Sequence, residues 1–141
     1  MLIAPYASGQ DFVQDFVRGL AAFQIGHYST ALQELRPFAE QGSASAQYYL
    51  GVMHQNGLGV PQDHKEAVKW YQLAAEQGDA SAQYNLGLMH HNGKGLPQDS
   101  KEAVKWWELA AEQGVARAQF NLGLMYVNGT GVLQDYKVAA K

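Results

Sequence analysis

Histidines are the residues of this sequence that could most readily do chemistry, because an imidazole can bind a metal ion or transfer a proton near neutral pH. The chain of 141 residues contains five of them. His54 and His90 are 36 positions apart, and the next position of that series is Tyr126, which indicates a site filled for shape rather than for ligation. His90 and His91 are adjacent, so on a helix they point in different directions, unlike metal ligands at i and i+4. We therefore expect no metal site and no cofactor.

The other residue types that catalysis uses are absent or have a structural explanation. The sequence has no cysteine, which excludes thiol nucleophiles and thiolate metal sites. Asp63 with Glu66, and Asp99 with Glu102, have the spacing of a capping box at the start of a helix. The loops NGLGV and NGKGL lack the spacing of a phosphate-binding loop. Because an enzyme needs a nucleophile or a paired acid and base in a pocket, we expect a protein that is not an enzyme.

Charge and hydropathy exclude two further classes. The net charge is -3, whereas nucleic-acid proteins usually carry a clustered basic surface. Four lysines form pairs at i and i+4 and are expected on a solvated outer face: Lys65 and Lys69, then Lys101 and Lys105. No apolar run approaches the roughly 18 residues of a membrane span. We expect neither a nucleic-acid partner nor membrane insertion.

The glycines show which elements must position these residues. Twelve of the 15 glycines fall into four series with a period of 36 residues. The series are Gly42, Gly78, Gly114; Gly51, Gly87, Gly123; Gly57, Gly93, Gly129; and Gly59, Gly95, Gly131. A fixed period of this length is typical of repeat proteins. We interpret the four series as marking the boundaries of repeated helical hairpins.

Each copy of the repeat predicts two helices. In the second copy, Ala82, Leu86 and Met89 have helical spacing over a first helix from Ala80 to about His91. Asn92-Gly93 predicts its end, since glycine readily adopts the left-handed conformation after a helix. The second helix is expected to bury Ala103, Ala110 and one of Trp106 and Trp107, and to stop at Gly114. Tryptophan would fill the space between neighbouring hairpins.

The full repeat, SAQYNLGLMHHNGKGLPQDSKEAVKWWELAAEQG in its second copy, resembles the Sel-one-like repeat (SLR), a relative of the tetratricopeptide repeat. Two complete copies cover Ser43–Gly78 and Asp79–Gly114, and a third, Val115–Lys141, lacks most of its second helix. The segment from about Asp11 to Gly42 is more similar to a plain tetratricopeptide repeat. The resemblance implies a right-handed α-solenoid, all-α, with hairpins at about 11–42, 43–78, 79–114 and 115–141.

The resemblance also implies a function. Such proteins are usually adaptors that bind proteins or peptides; they are widespread in bacteria, and some serve quality control in the endoplasmic reticulum of eukaryotes. The first helix of each pair would line a concave face. On these helices a stripe of aromatic, aliphatic and amide residues recurs beside the stripe that faces the hairpin partner. The candidate partner-binding residues are Tyr48, Val52, Gln55, Asn56, Tyr84, Leu88, His91, Asn92, Phe120 and Leu124.

Two alternatives remain open at this stage. The aromatic residues of the stripe could instead pack between adjacent first helices, since aromatics at helical spacing are often core residues. The function could instead be binding of a small molecule or cell-wall fragment, as an accessory to an enzyme. A compact pocket with convergent charged groups would favour this second function, whereas the sequence has a stripe of aromatic and amide residues.

Both ends of the sequence carry expectations. Residues 1–10 have small residues, Ala7 and Gly9, at the spacing of an export cleavage site, which favours a periplasmic or secreted protein. The alternative is an ordinary frayed terminus of a cytoplasmic protein. At the other end the chain stops at Lys141, about one turn into a second helix. Because Phe120 and Leu124 would then be uncovered, we expect self-association through this end.

Overall fold

The computed structural model describes residues 9–131, with side chains from residue 13 onward. Seven α-helices and no strand occupy this range. They are α1 (Gly9–Gln24), α2 (Tyr28–Glu40), α3 (Ala44–Asn56), α4 (His64–Glu76), α5 (Ala80–Asn92), α6 (Ser100–Glu112) and α7 (Ala116–Asn128). Helices α1 to α6 pair into three hairpins, and α7 begins the next copy. The predicted all-α stack of hairpins is confirmed.

The predictions for the two ends fall largely outside the described residues. Residues 1–8 of the expected leader remnant are among those not described, and residues 9 and 10 belong to α1. The expected second helix of the third copy also lies outside, since the description ends at Gly131.

No helix in the described part of the chain is both long enough and apolar enough to cross a membrane.

The core runs along the stack as three consecutive clusters of buried side chains. Each helix packs chiefly on its neighbours in sequence, as expected for a repeat array in which a hairpin buries its apolar face against the next one. Trp70 of α4 joins the cluster formed by α1, α2 and α3, so this indole does fill the space between hairpins. In the next copy Trp107 is buried in the last cluster, whereas Trp106 is half-buried against the preceding one.

Aspartate side chains begin α4, α5 and α6. Asp63 accepts a hydrogen bond from the Glu66 amide at 3.1 Å, and Asp79 accepts one from the Ala82 amide at 2.9 Å. The other half of the predicted capping box is wrong, because the backbone N–H of Asp63 donates to the carbonyl of His54 at 2.8 Å instead. The loop between α3 and α4 folds back on the end of α3 through this bond. The backbone N–H of Asp63 is therefore not available as a donor to the Glu66 carboxylate.

The glycine series have two different roles, so the boundary interpretation holds only for part of them. Gly57, Gly93 and Gly129 are left-handed caps at the ends of α3, α5 and α7, with φ of 67°, 65° and 67°. Gly51 and Gly87 instead lie inside α3 and α5. A Cβ atom at either position would collide with an aromatic ring of the next helix, Tyr71 or Trp107 respectively. This series marks a close helix approach rather than a boundary.

Candidate partner-binding face

Except for Asn56 and Asn92, the residues predicted to bind a partner belong to a stripe on the odd-numbered helices, which we call the odd-helix face. Its members are Phe16, Leu20 and Phe23 on α1; Tyr48, Val52 and Gln55 on α3; Tyr84, Leu88 and His91 on α5; and Phe120, Leu124 and Val127 on α7. The first three sets are partly buried. Their apolar members pack against the core clusters, those of α3 on the cluster of α4 and α5, and those of α5 on the cluster of α6 and α7.

Tyr48 illustrates this packing on α3. Its ring lies 5.3 Å from the ring of Tyr49 and 6.2 Å from that of Tyr71. Burial raises the pKa of the Tyr48 phenol, with a smaller contribution from Tyr49. Gln55 lies on the same helix, about two turns after Tyr48, and its side chain accepts a hydrogen bond from the Tyr71 hydroxyl at 2.5 Å. At this junction the stripe therefore forms contacts within the fold.

The asparagines that end α3 and α5 are exposed. Asn56 uses its amide nitrogen to donate to the carbonyl of Val52 at 3.0 Å, which leaves its amide oxygen towards solvent. Asn92 occupies the same position one copy later and is also exposed. Amides in this position can pair with the main chain of an extended segment, because each offers both a donor and an acceptor.

The stripe is most exposed on α7. Phe120 keeps 67% of its surface accessible and Leu124 keeps 46%. The equivalent residues one copy earlier, Tyr84 and Leu88, are half-buried against the last core cluster. Tyr84 also lies below the guanidinium of Arg117, 5.9 Å from the ring centroid, and its carbonyl accepts from the Trp107 indole at 3.1 Å.

A cleft of about 310 Å³ lies where α5, α6 and α7 meet. Three predicted residues, Leu88, His91 and Leu124, line this cleft together. The other residues that line the cleft are not among the predicted binding residues: Trp107, Asn121, Met125, Asn128 and Thr130. A usable signal did exist, because the second copy differs from the first at the positions of His91 and Trp107, where the first copy has Gln55 and Tyr71.

The period-matched histidines lie away from this face. His54 and His90 are buried near the ends of α3 and α5, and both ring nitrogens of His54 lack a hydrogen-bond partner. Burial lowers the pKa of both imidazoles below the ordinary value of 6.5. The described residues include no group of three or more histidine, aspartate or glutamate side chains arranged to hold a metal ion.

A stack of two-helix repeats that pack on their neighbours in sequence defines the α-solenoid class of folds. The family model of the Sel1 repeat matches residues 44–79, 80–115 and 116–141, one position later than the copies drawn from the sequence. The chain belongs to the Sel1 repeat family. Sel1 repeats are generally protein–protein interaction modules, and their fold is typically a non-enzymatic scaffold.

Solved structures agree with this assignment. A Sel1 repeat protein from Oxalobacter formigenes is 38% identical with a TM-score of 0.84; the match covers 88% of this chain and 51% of that one. A protective antigen of uropathogenic Escherichia coli strains with an SLR fold is 38% identical with a TM-score of 0.80, covering 95% of this chain and 32% of that one. The chain therefore spans about half and about a third of these relatives.

A more distant structure shares the fold alone. The cysteine-rich protein B of Helicobacter pylori is 24% identical with a TM-score of 0.61, covering 77% of this chain and 92% of that one. A comparison with curated proteins gives no significant match.

Proposed function

We propose that the chain is a non-catalytic module that binds a protein or peptide segment on its odd-helix face, at the concave side of the solenoid. The observation that carries this proposal is the exposed apolar stripe of α7, where Phe120 is 67% accessible. A large aromatic side chain left in water is costly, and exposed apolar patches with a polar rim commonly mark interaction sites. The general role of Sel1 repeats as interaction modules supports the same function.

The parts of the odd-helix face differ in their contribution. On α5 and α7 the apolar side chains border the cleft and solvent, so this end is the contact surface. Asn56 and Asn92 extend it with amides that pair with the main chain of the bound segment. On α3 the half-buried Tyr48, Val52 and Gln55 mainly hold neighbouring hairpins in register. The acidic residues Asp63, Asp79 and Asp99 are occupied as helix caps, which supports a role without catalysis.

Substitution of Phe120 tests the proposal with little effect on folding. Peptides selected from a random displayed library against the protein would be measured by calorimetry on Phe120→Ser and on a matched control, Leu109→Ser. Leu109 is 43% exposed on the even-numbered helix α6, away from the stripe. We expect selected peptides to bind the control as tightly as the parent chain, and to bind Phe120→Ser at least about tenfold more weakly, as for loss of a hot-spot side chain. Equal binding by both variants, or a loss confined to Leu109→Ser, would overturn the proposal.

Tyr84 and Leu88 are less suitable positions for this test. Both are half-buried, so alanine there removes core packing as well as contact surface. The alternative function, binding of a small molecule or cell-wall fragment, has its own test in a thermal-shift measurement with soluble muropeptides. We expect no shift with them, and a shift in the absence of any peptide selected above would favour the alternative.

A further inference from the structure

The junction that contains the cleft, between α5, α6 and α7, differs in its polar side chains from the junction before it. At the junction of α3, α4 and α5 the hydroxyl of Tyr71 donates to the side chain of Gln55 at 2.5 Å. The Asn85 side chain on α5 lies beside this phenol and that of Tyr48, and its hydrogen bonding opposes the rise that burial gives to the pKa of both. A phenol supplied by the chain itself thus joins two amides from successive odd-numbered helices.

One copy later, the chain keeps the site but not the phenol. Asn121 corresponds to Asn85, whereas His91 replaces Gln55 and Trp107 replaces Tyr71. An indole carries no hydroxyl, and the Trp107 nitrogen is turned away to donate to the carbonyl of Tyr84 at 3.1 Å. The Nδ1 atom of His91 is buried without a hydrogen-bond partner. Because the indole has no hydroxyl, this junction lacks the phenol that its predecessor supplies internally.

The walls of the cleft suit an aromatic ring. The Trp107 and His91 rings lie 5.5 Å apart at 50° to one another, and Leu88, Leu124 and Met125 add apolar surface. A thioether beside an aromatic ring is a favourable contact. The volume of about 310 Å³ lies at the low end of the roughly 300–1,000 Å³ of small-molecule sites. It therefore suits one side chain better than a cofactor, and none of the described lining residues is a lysine, arginine, aspartate or glutamate.

We propose that this cleft binds a tyrosine side chain of a partner segment, whose phenol hydroxyl bonds His91 and Asn121 in place of the missing internal tyrosine. The proposal rests on the peptide-binding function above and deepens it, because it names the residue type that anchors the segment. Asn128 and Thr130 at the same cleft offer polar groups to the main chain beside the anchor. The cleft thereby acts as the specificity pocket of the odd-helix face.

Capped single amino acids test the pocket separately from the rest of the face. N-acetyl-L-tyrosinamide, N-acetyl-L-phenylalaninamide and N-acetyl-L-leucinamide would be titrated into the labelled protein and followed by amide NMR shifts of α5 to α7. We expect the tyrosine probe to bind, the phenylalanine probe to bind roughly two- to tenfold more weakly for lack of the hydroxyl bond, and the leucine probe to bind weakest. No preference for the tyrosine probe over the leucine probe would overturn the proposal.

Exchanging the residue pairs of the two junctions gives matched variants, because each pair already occurs at one junction of this fold. The double substitution His91→Gln with Trp107→Tyr copies the preceding junction, so we expect a folded protein with the cleft filled and binding of the tyrosine probe lost. The reciprocal double substitution, Gln55→His with Tyr71→Trp, should open a second site and raise the stoichiometry from one probe to two. Unchanged probe binding by the first variant would refute the pocket.

The failure of the pocket and the failure of the general function are distinguishable. Phe120 is not a lining residue of the cleft, so Phe120→Ser should bind the tyrosine probe normally while losing selected peptides. If the probes show no preference but selected peptides still depend on Phe120, the pocket is wrong and the function stands. If the tyrosine probe binds but no peptide does, the pocket stands and the function is wrong.

Discussion

His54 and His90 are two ionisable side chains whose pKa the fold lowers. Burial lowers the pKa of His54, with Arg36 and Lys69 acting in the same direction and Glu66 and Asp63 opposing them. For His90 burial also lowers the pKa, against Glu102 and Asp99. The unfolded chain therefore binds more protons than the folded chain between these lowered values and 6.5.

The stability of the protein should fall on acidification for this reason. A lowered folded-state pKa leaves stability unaffected well above pH 6.5 and reduces it as the pH drops through that value. We expect the free energy of unfolding in urea to decrease from pH 7.5 to pH 5.5. His90→Tyr should weaken this dependence, since tyrosine stands at the equivalent position in Tyr126, where its hydroxyl donates to Glu108 at 3.2 Å. A slope equally steep in His90→Tyr and in the parent chain would contradict the prediction.

Gly87 is a second residue whose role depends on one neighbour. A methyl group there would collide with the Trp107 indole nitrogen, so Gly87→Ala should destabilise the protein by about 1–3 kcal/mol, as overpacking does. In a Trp107→Ala background the collision is gone. Gly87→Ala should then stabilise the protein by up to about 1 kcal/mol, because alanine favours the helix over glycine by this amount. Urea unfolding of the four proteins of this cycle measures the coupling; additive effects would show that the close approach is not the reason for glycine.

At the scale of elements, glutamines join one hairpin to the next. Gln47 and Gln83, in the first turn of α3 and α5, donate to the carbonyls of Ala39 and Ala75 at 3.1 and 3.2 Å. Gln113, at the end of α6, donates to the Gln83 side chain at 2.9 Å. The first two bonds give a second donor to carbonyls at the ends of even-numbered helices, which also accept from the amides of Gly42 and Gly78, and they repeat with the period of the chain.

Loss of one buried glutamine should therefore loosen a junction. Gln83→Ala leaves the Ala75 carbonyl and the Gln113 amide without this partner, and we expect it to cost about 1–3 kcal/mol of stability. Gln119→Ala removes the same kind of bond, 3.2 Å to Ala111, at an exposed position. Water can donate to the Ala111 carbonyl in place of the lost amide, so Gln119→Ala should reduce the free energy of unfolding markedly less than Gln83→Ala does. Thermal and urea unfolding would compare the two, and equal losses would mean that burial does not set the strength of this bond.

At the scale of the whole molecule, the repeat period predicts the helices but not the contacts between hairpins. The caps at Asp63 and Gly57 follow from local chemistry, which acts within a few residues and is readable from the chain. The close approach of Gly87 to Trp107 and the pairing of Gln83 with Gln113 join residues 20 and 30 positions apart. The cleft is likewise lined by residues of three different helices, α5, α6 and α7. Such features depend on which side chains meet across a junction, which spacing within one helix does not specify.

The exposed stripe of α7 also leads to a prediction for the whole molecule. Burying a phenylalanine side chain contributes about 1.5–3 kcal/mol, and Phe120 and Leu124 are neighbours on one helical face. We expect the 141-residue chain to self-associate weakly through this face, with a weight-average mass that rises with concentration in sedimentation velocity. Phe120→Lys should remain monomeric because a charge would be buried in the contact, whereas Leu109→Lys should associate like the parent chain. A strict monomer at the highest concentration would contradict the prediction. Peptides that bind the odd-helix face should dissociate the oligomer, since both occupy the same stripe.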